Sequence, residues 1–113
     1  MKTIETNELQ ALLDKNEDVL LVNTLAAESF EKTRIPRAVN IPLDDSDFVT
    51  RVEKEAGGKK KPVIVYCASR QCNSSEKAAE KLENAGFTQI LDYAGGFKAW
   101  QEETAETAEC HSC

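Results

Sequence analysis

Apolar positions along this chain fall into two patterns, short unbroken runs and stretches in which they return every third or fourth residue. Val19-Leu20-Leu21-Val22, Val63-Ile64-Val65-Tyr66 and Ile90-Leu91 are runs of the first kind, the mark of strands covered on both faces. Ile4 and the segment Ala38 to Ile41 add two shorter candidates, the second stopped by Pro42. Helical spacing lies between them. Leu9, Leu12 and Leu13 follow Thr6, the expected cap of that helix; a short helix is expected around Ala26 to Glu31. Phe48, Val52 and Ala56 share one face of a helix that Asp44 or Asp45 can cap and Gly57-Gly58 can end. Asn73 and Glu76 have the spacing of a capping box, Ala78, Ala79, Leu82 and Ala85 form an apolar stripe, and Gly86 suits the position just past the helix. Gly95-Gly96 then precedes a helix bearing Phe97 and Trp100. Strands alternating with helices at these lengths predict an α/β domain whose parallel sheet is covered by helices.

After Trp100 the periodicity fades into an acidic, alanine-rich stretch that ends in Cys110-His111-Ser112-Cys113. The expected organisation is one domain over residues 1–103 and a flexible Cys-containing tail over 104–113. These 113 residues are expected to form one domain rather than two.

Charge narrows the partners. Fourteen Lys and Arg are mixed among twenty Asp and Glu, a formal net charge of -6, so nucleic acid and anionic membrane are not expected partners. Lys59-Lys60-Lys61 reads as a solvated turn. The first residues contain no apolar run of the signal-peptide kind, and the expected location is cytoplasmic. The four cysteines cluster as Cys67/Cys72 and Cys110/Cys113, leaving most of the chain without a staple, which favours reduced thiols with one or both pairs able to cycle.

Cys67 stands out by position. It is the first residue after an apolar strand and opens a short loop that leads into a helix. Ligands of parallel sheets bind beyond the carboxyl ends of strands. Backbone N–H groups converging there would stabilise a thiolate and hold its pKa below the free value of about 8.5.

Three segments carry a resemblance to the rhodanese family, in particular its single-domain sulfurtransferases. Ile35-Pro36-Arg37-Ala38-Val39-Asn40-Ile41-Pro42 resembles the family's Ile-x-Gly-Ala-x-Asn-Ile-Pro segment. Val63 to Cys72 resembles its strand and active-site loop, and Gly86-Phe87 with Gly95-Gly96-Phe97-x-x-Trp100 its closing landmarks. The resemblance implies a rhodanese-like three-layer sandwich with a central parallel five-stranded sheet flanked by helices. It implies Cys67 as the nucleophile that accepts a sulfane sulfur, from thiosulfate or a persulfide donor, and passes it to a thiol or other nucleophile, with no cofactor and no metal. Ala68, Ser69, Arg70, Gln71 and Asn73 are the implied substrate-binding positions, Arg70 as a positive charge for an anionic donor and Ser69 as a hydroxyl.

The departures from the family pattern are specific. Its Asp-x-Arg pair after the second strand is Asn23-Thr24-Leu25, its Gly-His is Thr33-Arg34, a glycine is replaced by Arg37 and another by Arg70, and the sixth loop position is Cys72. Weak turnover of thiosulfate is the expectation. Cys72 is a candidate resolving thiol that would attack a Cys67 persulfide, release sulfide and leave a disulfide. Cys110 and Cys113 are candidate accessory thiols; a structural zinc site would need further ligands. A protein-phosphatase reading fails because position 73 is asparagine where the phosphate-clamping arginine belongs. Two alternatives stay open: a noncatalytic or protein-fed sulfur-carrier module, and a thiol redox enzyme, a persulfide or arsenate reductase, using Cys67 and Cys72.

Overall fold

In the computed structural model the apolar runs become the inner strands of one five-stranded, all-parallel sheet in the order β1-β5-β4-β2-β3. Residues 2–15, 18–69 and 73–112 are described, with 105–112 described by their backbone alone. The strands are β1 (Lys2–Thr3), β2 (Leu20–Asn23), β3 (Ala38–Asn40), β4 (Val63–Tyr66) and β5 (Ile90–Tyr93). The helices are α1 (Thr6–Asp14), α2 (Ala27–Lys32), α3 (Phe48–Ala56), α4 (Ser74–Asn84) and α5 (Gly96–Ser112).

Strand β4 lies at the centre, hydrogen-bonded to β2 on one side and β5 on the other, and all four of its residues are buried. That is why its sequence shows no polar alternation. Successive side chains still point to opposite faces. Leu20, Val22, Val63, Val65 and Ile90 pack with Phe48, Val52 and Ala56 of α3 and Ala78, Ala79 and Leu82 of α4. Leu21, Ile64, Tyr66 and Tyr93 pack with Leu9 of α1, against which Phe97, Ala99 and Trp100 of α5 also lie. The result is three layers, as the resemblance implied. Each fully buried aliphatic side chain contributes roughly 1.5–3 kcal/mol.

From β2 the chain moves to one edge through β3, then returns to build β4 and β5 on the other side. The order reverses between β2 and β4, and at such a switch point the loops diverge and leave a crevice beyond the strand ends. Thr24 spans that point, its N–H 3.1 Å and its hydroxyl 3.3 Å from the Tyr66 carbonyl.

The expected helix caps shift when side chains find other work. Thr6 does not cap α1; Glu5 is the cap residue, with its N–H 3.1 Å from Glu8 Oε1. The Thr6 hydroxyl donates instead to Glu103 of α5 at 2.9 Å and meets the Tyr93 hydroxyl, fastening α1, β5 and α5 together. Asp47 holds the cap position of α3, and Asp45 supports the turn before it, accepting the Asp47 N–H at 2.8 Å and pairing with Arg51. Asn73 is the cap residue of α4 but makes no capping hydrogen bond through its side chain. Its backbone (φ -106°, ψ 12°) is not extended as side-chain capping prefers. Gly57 and Gly86 end α3 and α4 as expected, both with positive φ.

One departure from the family pattern acquires a physical meaning here. Ile35 to Ala38 form a turn closed by the Ala38 N–H to the Ile35 carbonyl at 3.0 Å, with Pro36 second and Arg37 third. Arg37 has φ of 73°, the left-handed conformation that a type II turn requires at that position and that glycine adopts without strain. Arg37→Gly is expected to raise unfolding stability by roughly 0.5–1 kcal/mol, read as a higher midpoint in urea with an unchanged slope.

Candidate active site

Cys67 follows the last residue of the central strand, which fixes its place rigidly. Period-two alternation sends Tyr66 toward α1 and α5 and turns Cys67 to the opposite face, beneath the start of α4. The residue is buried. Its Sγ lies 3.7 Å from Ser75 Oγ, in the first turn of α4, and 3.9 Å from the Ser69 carbonyl.

The backbone around the thiol is held from the other side of the sheet. Phe97 N–H donates to the Cys67 carbonyl and Lys98 N–H to the Ala68 carbonyl, both at 2.9 Å. These are donors of the first turn of α5, which have no partner within their own helix. Gly96 makes the approach possible: a Cβ there would lie 2.6 Å from the Cys67 carbonyl oxygen and 2.7 Å from the Ser69 nitrogen, and its φ is +68°. Both the space and the conformation demand glycine.

At the neighbouring strand end, neutral hydrogen bonds join the residues that stand where the resemblance implied an Asp-x-Arg pair. Asn23 accepts the Leu25 N–H at 2.9 Å and donates to the Thr33 hydroxyl at 3.0 Å. Asn40 donates to the Leu25 carbonyl at 2.7 Å, and the buried Tyr66 hydroxyl donates to the Thr33 carbonyl at 2.7 Å and accepts the Ile35 N–H at 3.1 Å. Burial pushes the Tyr66 phenol up, so it stays a neutral donor.

Of the residues singled out in the sequence, Cys67, Ala68 and Ser69 sit together at the end of β4, with Ala68 and Ser69 half-buried, and Asn73 is exposed at the start of α4. Arg70, Gln71 and Cys72 lie outside the described residues, as does Cys113; so does most of the loop expected to supply N–H donors. Cys110 belongs to the helical backbone of α5, its side chain outside the description. Among the described residues no cluster of His, Cys, Asp and Glu is arranged to hold a metal ion. Phe97 and Trp100 are half-buried against the core, Phe48 is buried, and Arg34 lies over the Phe30 ring at 4.7 Å.

Two residues at the site escaped the sequence reading. Ser75 is 2% exposed and Asp92 4% exposed, both on the α4 side of the sheet. Asp92 is paired in register with Val65, two residues before Cys67. A carboxyl in the run Ile90-Leu91-Asp92-Tyr93 was the available signal, because alternation puts it on the same buried face as Ile90. Its Oδ1 is buried without a hydrogen-bond partner. Burial pushes the Asp92 carboxyl above its usual value of 3.8; the Ser75 hydroxyl, as a hydrogen-bond donor, works against this and the Glu76 carboxylate adds to it.

The profile of the Rhodanese-like domain matches residues 5–103. The chain belongs to that family. It is 30% identical over 101 residues to the thiosulfate sulfurtransferase GlpE of Pseudomonas savastanoi pv. phaseolicola, an alignment covering 88% of this chain and 87% of GlpE. It is 31% identical over 93 residues to the adenylyltransferase and sulfurtransferase UBA4 of Meyerozyma guilliermondii, covering 79% of this chain and only 22% of that much longer protein. The crystal structure of a rhodanese-like domain protein from Staphylococcus aureus superposes with a TM-score of 0.71 at 29% identity, covering 88% of this chain and 91% of that one. The rhodanese fold is therefore shared along nearly the whole chain.

Two consequences are measurable. Gly96→Ala is expected to destabilise the fold by at least about 2 kcal/mol, from the left-handed backbone and the crowded carbonyl together, and to speed hydrogen exchange at the Phe97 and Lys98 amides. For Asp92, a folded-state pKa raised above the unfolded one means that its contribution to stability is complete below pH 3.8 and declines as pH rises through the raised value. Asp92→Asn removes that titration. Chemical denaturation across this pH range is expected to show the variant gaining on the wild type as pH increases.

Proposed function

We propose that this chain is a sulfurtransferase in which Cys67 carries the transferred sulfur. The observation that carries the reading is a thiol fixed at the carboxyl end of the central parallel strand, with its own and the following carbonyl tied to the first turn of α5. A sulfur held so firmly loses little freedom on reaching the attacking geometry. GlpE, matched over most of both chains, is named a thiosulfate sulfurtransferase, and UBA4 an adenylyltransferase and sulfurtransferase. Both names support sulfur transfer as the chemistry.

In the proposed cycle the Cys67 thiolate attacks the outer sulfur of thiosulfate. The sulfur–sulfur bond of the donor breaks, sulfite leaves with the bonding pair, and Cys67 becomes a persulfide. An acceptor thiolate then takes the outer sulfur and returns Cys67 to its thiolate. Arg70 would attract the anionic donor, and Cys72 would compete with external acceptors by displacing sulfide and closing a disulfide with Cys67. Reduced thiols at both positions suit a reducing compartment, and we place the protein in the cytoplasm.

The test is intact mass after incubating the fully reduced protein with thiosulfate. A gain of about 32 Da that disappears in Cys67→Ser and persists in Cys72→Ser is the expected outcome. Sulfide release with a loss of about 2 Da that requires Cys72 would identify an internal resolving step. A gain only when a persulfide-bearing protein replaces thiosulfate would make the donor a protein. A gain that survives Cys67→Ser would overturn the assignment.

A further inference from the structure

Activation of Cys67 requires its proton to go somewhere, and the only histidine of the chain is His111, far along in α5. On the described side of the thiol, Ser75 Oγ lies 3.7 Å from Sγ, and on the same buried face stands Asp92, near enough that the Ser75 hydroxyl works against the upward push of burial on its carboxyl. Both residues are almost fully enclosed, and Asp92 Oδ1 has no partner. A buried carboxylate oxygen without a partner is costly, and accepting a proton relieves that cost. An acid used only to hold the fold would be expected to have its oxygens paired.

Resting on the assignment of Cys67 as the nucleophile, we infer that Ser75 and Asp92 form a proton relay behind the thiol, with Asp92 as a positioning residue that never touches substrate. The Cys67 S–H bond breaks as its proton joins Ser75 Oγ, while the Ser75 hydroxyl proton passes to the Asp92 carboxylate. No proton leaves the protein, and the combined charge of Cys67 and Asp92 is unchanged. The resulting neutral acid donates to Ser75, whose new O–H points at the sulfur anion and steadies both the thiolate and the later persulfide. An ionised Asp92 does the reverse, drawing the Ser75 proton away and setting a second negative charge near the sulfur.

Among the described residues, the charged group acting on Asp92 is Glu76 of α4. Strand β4 presents Val65 opposite Asp92 and β1 presents Thr3, neither ionisable, while Lys77 of α4 is exposed. Sharing a proton through Ser75 is what couples the thiol to Asp92, and a pair coupled in that way gives up its protons in two macroscopic steps.

The experiment is the rate of Cys67 alkylation by iodoacetamide as a function of pH, read on the tryptic peptide that ends at Arg70, which carries no other cysteine. It needs no sulfur donor, so it stands or falls separately from the sulfurtransferase reading. Wild type is expected to rise in two steps, and Asp92→Asn, checked for folding by circular dichroism, in one. Ser75→Ala is expected to lose the lower step, with the rate below neutral pH falling about tenfold, the effect of removing one charge-assisted hydrogen bond. A single-step wild-type profile that coincides with that of Ser75→Ala or of Asp92→Asn would overturn the relay. Two-step alkylation in a protein that takes up no sulfur would leave the relay standing and sink the sulfurtransferase.

Discussion

The pair of backbone hydrogen bonds from Phe97 and Lys98 to the Cys67 and Ala68 carbonyls is the constraint on which the site depends. A strand end is normally free to splay into its loop. Here the first turn of α5 grips it, and its otherwise unsatisfied donors are used up in doing so. Close contact between helix and loop is what Gly96 permits, since any β-carbon would stand where the Cys67 carbonyl is. The far side of α5 is secured in turn through Glu103 to Thr6 and Tyr93. The catalytic candidate is thus located by the fold's own framework: a fully buried strand, a glycine and a helix with two points of attachment.

Much of this architecture was legible because the residues that make it are apolar and periodic. Val63 to Tyr66 is a short unbroken apolar run of strand length, and Phe48, Val52 and Ala56 recur at the four-residue spacing of a helix face that Gly57 closes. Cys67 was visible for the same reason, as the first residue after an apolar run and before a loop that leads into a helix. What sequence could not convey was competition among polar groups. Thr6, Asp45 and Asn73 are all good caps by residue type, yet each has a different task because of neighbours that arrive from elsewhere in the chain or because of the local backbone. Asp92 was missed on similar grounds: a charged residue in a strand suggests an edge or a solvated face, and only the covering helix α4 turns it into a buried acid. The meaning of Arg37 likewise required a backbone angle, since a sequence records that glycine is missing but not that the turn keeps the conformation glycine would have chosen.

The two faces of the sheet divide the labour. On the α1 and α5 side, polar groups are fully engaged: Tyr66, Thr6 and Tyr93 all hydrogen-bond across elements and lock them. On the α4 side the sheet is apolar until its carboxyl end, where Cys67, Ser75 and Asp92 meet. One face gives rigidity and the other encloses a thiol, a hydroxyl and a carboxyl. The separation allows chemistry on one side without disturbing the anchors on the other.

The joint among β2, β3 and β4 is built from Asn23, Asn40, Thr33 and Tyr66, none of which is charged at neutral pH. Dissolved ions screen attractions between opposite charges and scarcely weaken a buried hydrogen bond between neutral groups. An ion pair in this place would tie the joint to the salt content of its surroundings. With amides and hydroxyls there instead, this joint keeps its hydrogen bonds in dilute and concentrated electrolyte alike.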